Sequence, residues 1–150
     1  MEFGRCIINK MTIEETEQEI IEEFELFEDD WEGKYEHLIE LGKSLPLIDS
    51  KFKTADKLIK GCQAQVWLNT EKANGKIVYT ADSDAIITKG LVALMIRVLS
   101  KHTSAEIVNA KLDFINKIGL KEHLSPTRSN GLVSMIKQMK WDALALSKIN

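Results

Sequence analysis

Asn74-Gly75 stands between two runs rich in β-formers, residues 65–69 and 76–80, and is the clearest strand signal in the chain. A two-residue type I′ turn needs positive φ at both central positions, which Asn-Gly tolerates, so a β-hairpin is expected here. The flanking sequence reads as helix. Ile86, Ile87, Leu91, Val92, Leu94, Met95, Ile96, Val98 and Leu99 make the following segment apolar nearly all round. That pattern predicts a core helix laid across the hairpin. Asp82-Ser83-Asp84 is read as the start of this helix, with Ser83 or Asp84 as its cap, in preference to a cation site.

Before the hairpin, Thr12-Ile13-Glu14-Glu15 forms a capping box, and Ile13, Ile20, Ile21, Phe24 and Phe27 repeat at helical spacing. A second helix is expected after Asp30, carrying Trp31, Tyr35, Leu38 and Leu45 and stopping before Pro46. Residues 49–60 have little periodicity and read as an irregular segment. After the core helix, Thr103-Ser104-Ala105-Glu106 is another capping box, opening a short helix to about Leu112. A further short helical piece ends at Gly119. Residues 124–129 read as a loop and cap before a last amphipathic helix with Leu132, Met135, Ile136, Met139 and Ala143. The order helix, helix, small sheet, helices predicts one α+β domain, a small antiparallel sheet covered on one side by several helices.

At 150 residues with 44% hydrophobic side chains, the chain is sized for a single core. Residues 1–11 are expected to be a poorly ordered or artefactual leader, and 12–150 the domain. No apolar h-region opens the sequence and no segment is long and apolar enough for a membrane span. The net charge of -3 conceals a polarity. Residues 1–75 hold 17 acidic and 9 basic side chains, and residues 76–150 hold 6 and 11. An acidic chain without interleaved basic and aromatic residues is a poor nucleic-acid binder, so protein partners or small molecules are expected. The acidic face of the first helix reads as a solvated face, with a docking surface for a basic partner as the other reading.

The two cysteines, Cys6 and Cys62, are too few for an all-cysteine metal or cluster site, and they fit a reducing, cytoplasmic setting. His37, His102 and His123 have no metal-ligand spacing with one another, and no nucleotide-binding or hydrolase motif occurs. No metal and no resident cofactor is therefore expected. Cys62 follows Gly61 on a loop before a strand, with Lys51, Lys53, Lys57 and Lys60 shortly before it. Nearby ammonium groups would favour the thiolate and make the sulfur a nucleophile. The competing reading is a small buried hydrophobe.

Trp31-Glu32-Gly33-Lys34-Tyr35, Ile39-Glu40-Leu41-Gly42 and Leu45-Pro46 resemble the second helix of SufE-type cysteine desulfuration proteins, the SufE/CsdE family. Gly61-Cys62-Gln63-Ala64-Gln65-Val66-Trp67 resembles the central motif of that family. Asp82-Ser83-Asp84-Ala85 with Lys89-Gly90-Leu91, and the run from His123 to Leu132, resemble its remaining blocks. The resemblance implies a fold like that of IscU-type scaffolds and a sulfur-transfer role in iron–sulfur cluster assembly. Cys62 would take persulfide sulfur from a pyridoxal-phosphate cysteine desulfurase (SufS-like), stimulating it, and pass the sulfur to a cluster scaffold (SufB-like). The Cys62 loop is expected to tuck its sulfur against apolar side chains and to swing out on docking, with Gly61 as hinge. Gly61, Gln63, Asp84, His123 and Arg128 are implied as loop-supporting or interface residues. The chain is expected to act as a monomer or homodimer. The alternative is a regulatory domain that docks on a desulfurase without carrying sulfur; an independent cysteine hydrolase lacks an evident base and orienter.

Overall fold

The computed structural model describes residues 11–149. The expected leader, with Cys6, lies outside the described residues except for Met11. Helix α1 (Ile13–Glu25) starts at the expected capping box: Thr12 Oγ1 accepts from the Glu15 amide at 3.0 Å, and Glu15 accepts from the Thr12 amide at 2.9 Å. Its Ile13, Ile20 and Phe24 are buried, whereas Phe27 lies beyond the helix end. Helix α2 (Trp31–Lys43) is capped by Asp30, which accepts from the Gly33 amide. Leu45 is in the core but outside this helix.

The irregular segment after α2 contains two single 3₁₀ turns, Ser50–Phe52 and Ala55–Lys57. It is stitched to the sheet at both ends, through a bridge from Leu47 to Ala81 and another from Leu58 to Trp67. The sheet is the expected antiparallel hairpin, β1 (Val66–Ala73) and β2 (Lys76–Ser83), with strands longer than the β-rich runs of the sequence. Asn74 and Gly75 have φ of 53° and 78°, as a type I′ turn requires. Ile77, Tyr79, Ala81 and Ser83 alternate inward, opposite Leu68 and Val66, so one face of the hairpin is core.

Helix α3 (Ile86–Leu99) covers that face and is buried almost throughout, although Ile86 is 64% exposed. Its start differs from expectation. Ser83 is the last residue of β2, the cap position is Ala85, and among the described residues no side chain caps the helix. Asp82 is drawn instead to Lys53 and Lys89, and Asp84 to the Gln65 backbone. Helices α2 and α3 cross at glycines: a Cβ on Gly90 would run into the Leu38 carbonyl, and one on Gly42 would meet the Gly90 backbone at 3.1 Å. Arg97 of α3 reaches Glu19 and Glu23 of α1, at 2.6 and 2.5 Å, and His37 of α2 meets Glu23 at 3.0 Å. Part of the acidic face of α1 is thus occupied within the domain.

Three short helices follow: α4 (Ser104–Asn109), α5 (Phe114–Lys117) and α6 (Leu120–His123). Thr103 caps α4 in the expected box, but this helix ends before Leu112. Helix α7 (Pro126–Ser147) is capped by Ser125 with Pro126 in its first turn, so Thr127, Arg128 and Ser129 are helical and not loop. It closes the core: the buried Tyr79 hydroxyl donates to the Met139 carbonyl at 2.6 Å, and Thr70 donates to Asp142 at 2.7 Å. The result is the expected α+β domain, with helices packed on one face of a two-stranded sheet. No described helix is long and apolar enough to cross a membrane.

Candidate functional site

Cys62 lies where the segment leading to β1 passes over the first turns of α3 and α7. Gly61 enters this turn at φ +92°, the left-handed region that side chains resist, and a Cβ there would collide with the Ser134 hydroxyl of α7. The close approach of Gly61 to α7 sets the height of the next residue. Cys62 is half-buried and packs against the hydrophobic core, and its thiol donates to the Gly131 carbonyl across 3.5 Å. Gly131 presents only a hydrogen to the sulfur; a Cβ there would touch Sγ at 3.5 Å.

A cleft of about 380 Å³ opens beside the sulfur. Gln63 and Ala64 line it from the loop, Asp84, Ala85, Thr88 and Leu91 from the start of α3, and Thr127, Arg128 and Met135 from α7. Four residues singled out from the sequence, Cys62, Gln63, Asp84 and Arg128, therefore meet at one place, with Gly61 supporting the turn. Asp84 holds the loop down at its far end, accepting from the Gln65 amide at 3.0 Å while its own amide donates to the Gln65 carbonyl at 3.3 Å. The Arg128 amide is taken by the Ser125 cap at 3.3 Å, and among the described residues its side chain is the one cation on the cleft wall. Thr88 is a cleft residue that sequence reasoning missed. The available signal was a hydroxyl in the first turn of an otherwise apolar helix.

His123 does not line the cleft. Its ring stacks on Trp31 with centroids 3.7 Å apart, over Gly119, where a Cβ would meet the indole at 3.1 Å. Its carbonyl accepts from the Tyr35 hydroxyl at 2.6 Å. It joins α6 to α2.

The expected lysine activation of Cys62 is also absent from the described site. Lys53 pairs with Asp82 and covers the Trp67 ring at 4.7 Å, while Lys51 and Lys57 lie over Phe52. Lys57 and Lys60 line a separate groove between β1 and α7. Burial is what acts on the Cys62 thiol, and it pushes its pKa up. Burial thus favours the protonated, partly shielded thiol over the thiolate.

Residues 18–143 match the family described as SufE, an Fe-S metabolism associated domain. A SufE-like protein of Arabidopsis thaliana, named as chloroplastic/mitochondrial, is 42% identical over 132 residues. That match takes in 86% of this chain but only 35% of the plant protein, so the chain spans about a third of that relative. An uncharacterized SufE-like protein of Rhizobium meliloti is 41% identical over 130 residues, covering 83% of this chain and 92% of the relative. One from Synechocystis is 36% identical over 143 residues, covering 95% and 89%. The fold is similar to the solution structure of a hypothetical protein from Thermus thermophilus, with a TM-score of 0.71 at 16% identity, over 87% of this chain and 94% of that one. Family membership does not by itself fix the cytoplasmic setting expected from the cysteines, because the plant relative is named for organelles. The matched span includes every residue of the Cys62 cleft, and the chain belongs to the SufE family of Fe-S metabolism associated domains.

Proposed function

We propose that this chain is a sulfur carrier for iron–sulfur cluster assembly, with Cys62 as the carrying residue. The observation that supports this reading best is the setting of the thiol: a half-buried sulfur on a loop entered through Gly61 at positive φ, beside a cleft with room for an added atom. A scaffold that holds a cluster needs several thiolates, whereas a relay needs one. The donor is a cysteine desulfurase, whose pyridoxal phosphate frees sulfur from cysteine and leaves a persulfide on that enzyme. Cys62 thiolate attacks the outer sulfur; the Cys62 Sγ–S bond forms, the donor S–S bond breaks, and the donor cysteine leaves as a thiolate. Relieving the donor of its sulfur is how the carrier stimulates desulfurase turnover. The acceptor is a cluster scaffold, reached by a second exchange of the same kind.

Protection and reactivity place opposite demands on the thiol. A low-pKa exposed cysteine oxidises readily, and burial keeps Cys62 protonated in the free protein. Docking on the desulfurase draws the loop outward about Gly61, restoring water to the sulfur and lowering its pKa toward the ordinary value. Gln63, Asp84 and Arg128 surround the cleft mouth and face the partner. The test is desulfurase turnover with and without this protein and its Cys62→Ser variant. Stimulation by the wild type and none by Cys62→Ser is the expected result. Equal stimulation by both would leave a docking regulator that carries no sulfur.

A further inference from the structure

The Cys62 cleft contains hydrogen-bond donors that the protein itself does not use. Helix α3 is 14 residues long and its cap, Ala85, offers no side-chain acceptor. Its first backbone bond is from the Lys89 amide to the Ala85 carbonyl at 2.8 Å, so the amides of Ile86, Ile87 and Thr88 precede the helical ladder, and of these three residues Thr88 lines the cleft. Thr88 is only 7% exposed, yet among the described residues its hydroxyl has no hydrogen-bond partner. Among the described residues the one fully enclosed unpartnered side-chain polar atom is Glu17 Oε2, so the Thr88 hydroxyl keeps some solvent access, and Thr88 lines the cleft. Arg128 lines the same cleft with no ion-pair partner among the described residues. Asp84, the one carboxylate on the wall among the described residues, has its Oδ1 taken by the Gln65 amide.

The first turn of a helix, an unpartnered Thr88 hydroxyl and the Arg128 cation together make an environment for a small anion. We propose that the first turn of α3, with the Thr88 hydroxyl, cradles the terminal sulfur anion of a persulfide carried on Cys62. This inference rests on the carrier reading. When Cys62 takes sulfur from a protonated donor persulfide, the Sγ–S bond forms, the donor S–S bond breaks, and the donor leaves as a thiolate. The new Cys62 persulfide then releases its proton to water. Its charge resides on the outer sulfur, about 2 Å beyond Sγ. The empty thiol has its own partner in the Gly131 carbonyl of α7. Loading removes the proton that made that bond, and the outer sulfur accepts from the donors of α3. The same cleft thereby distinguishes empty from loaded carrier.

The test uses the full chain with Cys6→Ser, so that Cys62 is its one thiol, loaded with sodium polysulfide. Alkylation of the persulfide by iodoacetamide, followed by mass spectrometry across a pH series, reads its ionisation. Thr88→Val removes the hydroxyl at nearly constant shape. It is expected to move the persulfide profile up by about one pH unit, a tenfold loss of anion at low pH, while leaving the profile of the unloaded thiol in place. Thr88→Ser is expected to restore the persulfide profile, which a merely structural defect would not do. Superimposable persulfide profiles for wild type and Thr88→Val overturn the cradle and leave the carrier reading standing. Failure of Cys62 to retain sulfur in the wild type, from polysulfide and from a desulfurase alike, overturns both.

Discussion

The sulfur of Cys62 sits 3.5 Å from the carbonyl oxygen of Gly131, a contact that exists as a hydrogen bond only while the sulfur keeps its proton. Burial raises the thiol pKa in the same sense. The folded chain therefore binds this proton more tightly than the unfolded chain, and its stabilisation is complete below the ordinary thiol pKa. It is lost as pH rises through the higher folded value. Iodoacetamide alkylation of native Cys62 is expected to have its pH midpoint above that of the same thiol in urea. Urea unfolding should show an alkaline loss of stability that Cys62→Ala lacks. A native midpoint at or below the unfolded one contradicts the shielded thiol.

Gly61→Ala is expected to cost about 2 kcal/mol, because a side chain resists φ of +92° and the new methyl meets the Ser134 hydroxyl. Adding Ser134→Ala should recover part of the loss, leaving the backbone strain. Cys62 alkylation in Gly61→Ala should be faster at fixed pH, since the loop must lift. Thermal denaturation and alkylation kinetics of the two variants measure both effects.

Arg128→Ala leaves the Ser125 cap intact, because that cap holds the Arg128 backbone and not its side chain. The melting temperature is expected to stay within about 1 °C, as for an exposed surface change. Desulfurase stimulation is expected to fall severalfold. A large stability loss with normal stimulation per folded molecule would remove Arg128 from the interface.

Gly90→Ala tests the helix crossing. Alanine improves helix propensity by about 1 kcal/mol, but here its methyl is directed at the Leu38 carbonyl, a backbone atom that cannot turn aside. A net loss of about 3 kcal/mol is expected from urea unfolding. Gly42→Ala, whose nearest contact is 3.1 Å, should cost less.

Arg97→Met breaks the bond that holds the Glu23 carboxyl below the usual carboxylate range. A depressed acid stabilises the fold above its unfolded pKa, and that contribution disappears as pH falls through the folded value. The variant is expected to lose about 1–2 kcal/mol near neutrality. Below roughly pH 4 the gap to wild type should narrow. A constant gap from neutral to acid pH would assign the loss to packing alone.

The features legible in the sequence are those decided within a few residues. Asn74-Gly75 dictates its own dihedrals, and Thr12 and Thr103 reach only to the third residue beyond them. The cysteine loop is legible because Gly61 and Cys62 are neighbours. Asp84 misleads because its acceptor role toward Gln65 depends on how the strand ends meet, and a cap is the local alternative for the same side chain. Ser125-Pro126 carries a helix-start signature, yet the proline and the polar residues after it suggest a loop. The lysines before Cys62 mislead because adjacency along the chain is not adjacency in space; Lys53 is held over Trp67 and Lys51 over Phe52. His123 is near in motif but is held away by Trp31. Thr88 is hidden among apolar neighbours whose pattern speaks only of burial.

The approach of Gly61 to Ser134 also bears on how such a domain can diverge. A glycine codon is one base change from alanine or serine, and the altered side chain would act as a spacer beneath the loop. Descendants could thus trade a sheltered sulfur for a standing-out one without rebuilding any helix. Selection on that single position would then act on the exposure time of the thiol to oxidants, set against the backbone strain that any side chain meets there.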